Sequence, residues 1–206
     1  MKQILFKTEM VKAILDGEKT VTRRVVKKGE ADAVLSSPFR MENPDIPDDR
    51  FINCLCTAPC EIGDILYVRE TWALQMGIYW YKAGLVIDEN GRDAHGTEVP
   101  QKWRPSIHMP KKAARIFLRV IDVRVERLQD ITSGQIDAEG CKEWAYSAKT
   151  GELLPSGPSF FRIKWDRTIK PSDLPFYGWE ANPWVWVIEF ERISREEAML
   201  EEQHVD

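Results

Sequence analysis

Cysteine and histidine are scarce in this chain, with four and three copies among 206 residues. Cys54, Cys56 and Cys60 could together supply three thiolates to a zinc ion. Their spacing is not the usual C-x2-C, and neither His95 nor His108 lies at a standard partner distance. The sequence therefore predicts reduced structural thiols, with no bound metal and no cofactor.

Long apolar runs and leader features are also lacking. No stretch of about 18 apolar residues occurs, so a transmembrane helix is not expected. Residues 1–6 lack the apolar core and the small-residue cleavage site of a signal peptide, which favours a cytoplasmic protein without a membrane partner. Neither G-x-G-x-x-G nor G-x-x-x-x-G-K-[ST] is present, so folds that bind nucleotide cofactors gain little support.

Charge is unevenly placed along a chain whose formal net charge is −4. Residues 1–29 contain eight Lys or Arg against three acids, and residues 99–128 contain eight against two. Residues 189–206 contain two Arg against seven acids. The two basic segments could form one positive face that attracts a nucleic acid, if the fold brings them together. Alternatively, both are solvated strand faces.

Short strands are joined by a few helices, without strict alternation. This order predicts an α+β domain around a small β-barrel with flanking helices. A single domain is expected over residues 1–194, followed by a charged tail at 195–206. Residues 27–62 are rich in Pro, Asp and Ser and show no periodicity, which predicts a long loop insertion. Residues 84–110 are predicted to form a second irregular insertion. The predicted strands cover 3–6, 19–26, 64–69, 78–83, 116–125 and 184–190, and the predicted helices cover 9–16, 132–139 and 159–169.

Two of the predicted helices carry clear end signals. Thr8 is a suitable N-cap for the first helix, and Gly17 is a suitable stop. Thr132 and Gln135 form a capping box for the second helix, which is expected to stop at Gly140.

The long strand after residue 115 changes phase. Apolar residues occupy even positions as far as Val120 and odd positions from Val123 onward. A one-residue slip of this kind predicts a β-bulge or sharp bend near residues 121–122, which a small barrel needs at its corners.

Residues 17–24, Gly-Glu-Lys-Thr-Val-Thr-Arg-Arg, carry the densest chemistry. On a strand, Lys19 and Arg23 share one face, while Thr22 and Arg24 share the other. Cations and hydroxyls suit a phosphate or a polarised carbonyl. The same pattern is also that of a sheet edge protected by Lys and Arg.

Four short motifs follow one another along the chain, at residues 15–24, 63–70, 138–140 and 185–190. Their series resembles the ASCH domain family, whose fold is a PUA-like β-barrel. Two further segments, at residues 103–110 and 179–184, resemble a longer branch of that family often found in phages and prophages.

The resemblance implies binding of single-stranded RNA or of a modified nucleobase or nucleoside. It also implies an alternative activity, because some small members hydrolyse the acetyl amide of N4-acetylcytidine with a Lys, a Thr and a Glu. By motif, these residues fall on Lys19, Thr22 and Glu139. A ribonuclease that uses the same cleft is a further alternative.

The chemistry sets conditions on these residues. Lys19 can act as a base only if burial or a neighbouring cation lowers its pKa from the usual value of about 10.4. Thr22 could be the nucleophile or bind the oxyanion, and Glu139 could shuttle a proton. On an ideal strand, however, Lys19 and Thr22 point to opposite faces.

A basic cleft is predicted from residues 19–24, 69–72 and 102–112. Its tryptophans could stack on bases, although tryptophan packs in cores more often than it stacks on a base. The predicted ligand-binding residues are Arg23, Arg24, Arg69, Trp72, Trp103, Arg104, His108 and Lys111.

Overall fold

A computed structural model describes residues 1–141 and 157–203. It confirms the α+β class. The described strands are β1 (Lys2–Leu5), β2 (Val21–Val25), β3 (Ile65–Arg69), β4 (Trp72–Gln75), β5 (Ile78–Tyr81), β6 (Phe117–Arg127) and β7 (Trp184–Ile193). The described helices are α1 (Thr8–Leu15), α2 (Lys28–Leu35), α3 (Pro38–Glu42), α4 (Asp48–Leu55), α5 (Ser133–Ala138), α6 (Gly157–Asp166), α7 (Leu174–Tyr177) and α8 (Arg195–Gln203). Residues 204–206 of the predicted charged tail lie outside the described part.

Five strands form one sheet in the order β1-β3-β6-β7-β2, and β4 and β5 form a separate hairpin. By contacts the chain divides into two compact units. The first unit comprises Met1–Glu18, Gly63–Arg119 and Glu191–Asp206, and the second comprises Lys19–Ile62 and Val120–Phe190. The long strands β6 and β7 therefore each contribute residues to both units.

In the first unit, β1 pairs in parallel with β3, which pairs antiparallel with β6. The unit has its own apolar core, because the side chains of Trp72, Met109 and Phe117 pack together at 3% exposure or less. Helix α1 contributes buried Val11 and Ile14, and its residues 8–15 match the predicted helix closely.

In the second unit, β2 pairs antiparallel with β7, with Val21 opposite Glu189 and Val25 opposite Val185. The core of this unit collects apolar residues of β2, β7, α5 and α6. Phe161 and Trp165, one helical turn apart on α6, stack with their ring centroids 6.2 Å apart. Ile136 of α5 and Val21 of β2 belong to the same core.

Several local predictions are confirmed, and the N-cap of α1 is corrected. The positive φ of +74° at Gly17 follows the end of α1, which is the backbone geometry that favours glycine. The capping box of Thr132 and Gln135 is present at the start of α5. The N-cap of α1 is Lys7 rather than Thr8, and it makes no side-chain capping bond.

The prediction that residues 27–62 form an irregular loop is wrong, because three short helices occupy most of that stretch. The side chain of Ser37 accepts a hydrogen bond from the backbone of Arg40, and Pro38 occupies the first turn of α3. Phe51 and Ile52 bury α4 at 3% and 0% exposure. Ser, Pro and Asp are common in loops, yet they also begin helices.

The structure confirms the change of phase in β6. Leu118 and Val120 are buried at even positions, Ile121 is 49% exposed, and Val125 is buried at an odd position. Residues 117–127 nevertheless form one continuous strand, and the bulge stays a prediction. Residues 84–105 contain no regular helix or strand, as predicted, and a short 3-10 turn follows at Ser106–His108.

Candidate functional site in the second unit

Lys19 lies just ahead of β2 and forms an antiparallel bridge with Glu139. The neighbouring amide of Thr20 donates to the carbonyl of Ala138 at 2.9 Å. The backbone at the C-terminal end of α5 is therefore hydrogen-bonded to the segment that enters β2. This pairing brings together two side chains that are 120 positions apart in the sequence.

Helix α5 positions Glu139 through its two ends. At the start, the backbone amide of Gln135 donates to the Thr132 hydroxyl at 3.3 Å, and the Gln135 side chain accepts from the Thr132 amide at 2.9 Å. At the other end, Glu139 is the C-cap, and Gly140 follows with a φ of +74°. A left-handed residue at that place ends the helix directly after Glu139.

The ammonium group of Lys19 is fully buried and donates three hydrogen bonds. Its Nζ lies 2.5 Å from Glu139 Oε2, 2.6 Å from the carbonyl oxygen of Val21 and 3.1 Å from the carbonyl oxygen of Glu139. The exposed fraction of the side chain is 0% for Lys19 and 7% for Glu139. Three acceptors match the three N–H bonds of a protonated lysine.

Arg23 binds the same carboxylate from the other side. Its Nη1 donates to Glu139 Oε1 at 3.2 Å, and its Nη2 donates to Glu126 Oε2 at 3.2 Å. The Arg23 side chain is 0% exposed. Glu139 thus bridges two buried cations, one at each carboxylate oxygen.

Thr22 and Arg24 interact on the opposite face of β2. Arg24 Nη1 donates to Thr22 Oγ1 at 2.8 Å and to the carbonyl of Arg23 at 2.9 Å. Thr22 is buried, at 1% exposure. These contacts confirm the predicted grouping by strand alternation, with Lys19 and Arg23 directed to Glu139 and with Thr22 hydrogen-bonded to Arg24. We call Lys19, Thr22, Arg23, Arg24 and Glu139 the Lys19 cluster.

Burial dominates the electrostatics of the Lys19 cluster. Desolvation lowers the pKa of Lys19 below its ordinary value, the Glu139 carboxylate opposes that shift, and the Arg24 cation adds to it. Burial also lowers the pKa of Arg24. The condition that a base at Lys19 requires is met in direction, mainly through desolvation rather than through the neighbouring cations.

Sequence reasoning missed the second layer of charges. Glu126, on β6, accepts from Arg23 and also from Arg124 Nε, the latter at 2.6 Å. Arg124 in turn pairs with Glu189 of β7 at 2.5 Å. Arg124 and Glu126 are two positions apart, so the sequence already predicts that they share one face of a strand. Their approach to Arg23 depends on the pairing of strands that are distant in the sequence.

The other predicted ligand residues belong to the first unit. Trp72 is only 3% exposed, and its ring is covered by Tyr79 at 5.8 Å between centroids and by the Arg104 guanidinium at 5.1 Å. Its proposed role as a stacking platform is thereby corrected, because the ring packs in the core and offers no free face. Trp103 is partly exposed, so its prediction stands as made.

The remaining predicted residues of that group include the half-buried Arg69 and two exposed side chains. Arg69 donates to the carbonyl of Ile107 and to the side chain of Gln3. His108 is exposed at the end of the 3-10 turn. Lys111 is exposed and pairs with Glu202 at 2.6 Å. The prediction that these residues share one cleft with residues 19–24 stays a prediction.

The cysteines make no metal site in the described part of the chain. No group of three or more His, Cys, Asp or Glu within residues 1–141 and 157–203 is arranged to hold a metal ion. Cys54 is exposed, whereas Cys56, Cys60 and Cys141 are buried. Burial raises the pKa of Cys56 and of Cys141. Over the same residues, no helix has both the length and the apolar character needed to cross a bilayer.

Comparisons with known proteins give little further guidance. No family model matches the chain. No curated protein matches it either. Among solved structures, protein EF3133 from Enterococcus faecalis V583, which carries the family label DUF984, matches with a TM-score of 0.42 and 9% identity, over 94% of this chain and 81% of that one. A similarity of that size supports neither a fold assignment nor a function.

Proposed function

We propose that this protein is an ASCH domain with a PUA-like architecture that binds RNA or a modified nucleobase or nucleoside at the Lys19 cluster. The observation that carries the proposal is the buried Glu139 carboxylate, which bridges Lys19 at 2.5 Å and Arg23 at 3.2 Å. The motifs that resemble the ASCH family fall on the same two residues, Lys19 and Glu139. The PUA-like barrel is part of the proposal.

The energetics of buried charges favour a functional role. Desolvating two ions costs several kcal/mol each, and well-packed apolar residues often stabilise a core as much as an ion pair does. A chain that needed only stability at this place could use apolar side chains. Buried ionisable groups with shifted pKa values are typical of ligand and catalytic sites, although purely structural pairs also occur.

Binding is tested by titrating the full chain with N4-acetylcytidine, with cytidine and with a short single-stranded RNA. We expect Glu139→Gln to weaken binding at least tenfold. A matched control is Glu70→Gln, which removes a second buried carboxylate that is held by Arg115 at 2.8 Å in the first unit. Loss of binding in both variants would mean a general loss of stability, and no binding by the wild type would refute the proposal.

A second candidate function, hydrolysis of the N4-acyl amide, is favoured by the Lys19–Glu139 contact. Transfer of one proton across that 2.5 Å hydrogen bond yields a neutral amine and a neutral acid side by side. The amine could then take a proton from a water molecule as the water oxygen attacks the acyl carbon. The acid would donate its proton to the N4 nitrogen as the amide bond breaks, giving cytidine and acetate.

Turnover is tested by mass spectrometry of a pool of modified nucleosides and RNA before and after incubation. Acetate release that is present in the wild type and lost in Lys19→Met would establish the hydrolase. Binding without any product would leave the binding function alone. Shortened RNA fragments would instead support the ribonuclease alternative. No described contact in the Lys19 cluster specifically favours that alternative.

A further inference from the structure

Arg23 has one hydrogen-bond donor that its neighbours do not use. Within the described residues, the buried Nε–H of Arg23 has no hydrogen-bond partner. The terminal nitrogens of the same guanidinium are both engaged, with Glu139 and with Glu126. Because buried N–H groups in proteins almost always have an acceptor, an unpaired one calls for a partner from outside the chain, either a ligand atom or a water molecule.

The two carboxylates hold the guanidinium plane in place. Nη1 is tied to α5 through Glu139, and Nη2 is tied to β6 through Glu126. Arg124 fixes Glu126 in turn, because its Nε donates to Glu126 Oε1 at 2.6 Å. A guanidinium is rigid and planar, so fixing both terminal nitrogens also fixes the direction of Nε–H.

The chemistry of this donor favours a neutral acceptor over a phosphate. Nη1 and Nη2 of Arg23 are both taken by carboxylates at 3.2 Å, so Arg23 cannot offer a phosphate the bidentate pair of N–H bonds that such a group favours. A carbonyl oxygen is neutral and accepts a single N–H without requiring a second cation.

We propose that Arg23 Nε–H is the ligand-recognition donor of the Lys19 cluster and that it binds a carbonyl oxygen of the ligand, of the nucleobase or of its acyl group. This inference rests on the proposed function and names the part of the ligand that the cluster recognises. Glu126 and Arg124 are then positioning residues, which orient Arg23 without touching the ligand.

The direct test follows the Arg23 Nε–H signal by NMR in the full chain with 15N-labelled arginine. Arg23→Lys identifies that signal by its disappearance. Arg115 is the matched internal control, because its Nε already donates to Glu70 at 2.8 Å. We expect N4-acetylcytidine and the small amide acetamide to shift the Arg23 signal and to leave the Arg115 signal in place.

Binding measurements complete the test. We expect Arg23→Lys to bind N4-acetylcytidine about tenfold more weakly than the wild type does, as for one lost hydrogen bond. The affinity of the wild type for this nucleoside should change little between about 50 and 500 mM salt, because no phosphate is neutralised. Glu126→Gln should weaken binding less than Arg23→Lys does, since it loosens the donor without removing it.

The outcomes separate this inference from the function on which it rests. If the wild type binds the nucleoside while the Arg23 signal stays unmoved and Arg23→Lys binds normally, the inference is overturned and the function stands. If no nucleoside binds but acetamide shifts the Arg23 signal, the carbonyl site stands and the nucleoside function fails. If neither probe moves the signal, the open donor holds a water molecule only, and the inference is overturned.

Discussion

Replacing Glu139 by glutamine tests the central contact of the Lys19 cluster most directly. Glutamine keeps the shape of the side chain and removes its charge, so Lys19 and Arg23 are left facing each other without the carboxylate that bridges them at 2.5 and 3.2 Å. Breaking a buried pair by removing one partner costs about 3–5 kcal/mol. For a chain of this size, that corresponds to a fall in melting temperature of roughly 6–20 °C.

Lys19→Met should cost less. The carboxylate of Glu139 would still be paired with Arg23, and methionine fills a similar apolar volume. The carbonyls of Val21 and Glu139 then lose their hydrogen-bond donor, which should lower the free energy of unfolding by about 1–3 kcal/mol. The double variant should be more stable than the sum of the single effects predicts, by about 1–3 kcal/mol, because the two residues are in direct contact.

Thermal unfolding followed by tryptophan fluorescence measures these differences in the full chain. The matched controls are Lys27→Met and Glu30→Gln, which break an exposed pair on α2 where Lys27 is 80% exposed. Each control should change stability by less than about 0.5 kcal/mol. A Glu139→Gln variant that unfolds within 2 °C of the wild type, or additive effects of the two single changes, would refute the reasoning, because the contact would then contribute no coupling energy.

Further predictions follow from the local structure. Thr132→Ala should lower the stability of the chain by about 1 kcal/mol through loss of the α5 cap, whereas Thr132→Ser should change the melting temperature little. Gly17→Ala should cost about 1–2 kcal/mol because of its φ of +74°, with Gly17→Asn milder, as denaturant unfolding can measure. Burial lowers the pKa of Lys19, so the folded state binds its proton more weakly than the unfolded state does. The melting temperature of the wild type minus that of Lys19→Met should therefore rise as pH increases toward about 10.4. A difference that stays constant between about pH 7 and pH 10.4 would contradict the burial argument. Cys54 is exposed, so a thiol reagent should modify one cysteine per folded chain, and rapid reaction of more would show that the remaining thiols are accessible.

Strand alternation and the end signals of helices were readable from the sequence because they depend on neighbouring residues alone. The capping box at Thr132 and the glycine stop at Gly17 are interactions within a few positions, and both are present in the structure. The face pattern of β2 was likewise local, since successive side chains on a strand alternate by geometry.

Short helices between polar residues were harder to read. Residues 28–55 form three helices whose apolar faces are brief, with Phe51 and Ile52 as the buried residues of the last one. The same Ser, Pro and Asp residues that begin such helices also form turns. Tertiary packing decides between these outcomes, and a local pattern does not contain it.

The Lys19 cluster shows the limit of the sequence most clearly. By itself, the sequence determined that Lys19 and Arg23 share a strand face and that Glu139 ends a capped helix, because each property is set by the chain within a few residues. Only the tertiary structure decided that Glu139 joins both cations, that desolvation lowers the pKa of Lys19, and that Glu126 also binds Arg23. Those facts depend on the backbone pairing between the end of α5 and the start of β2 and on the burial it produces, and neither is encoded in the spacing of the residues concerned.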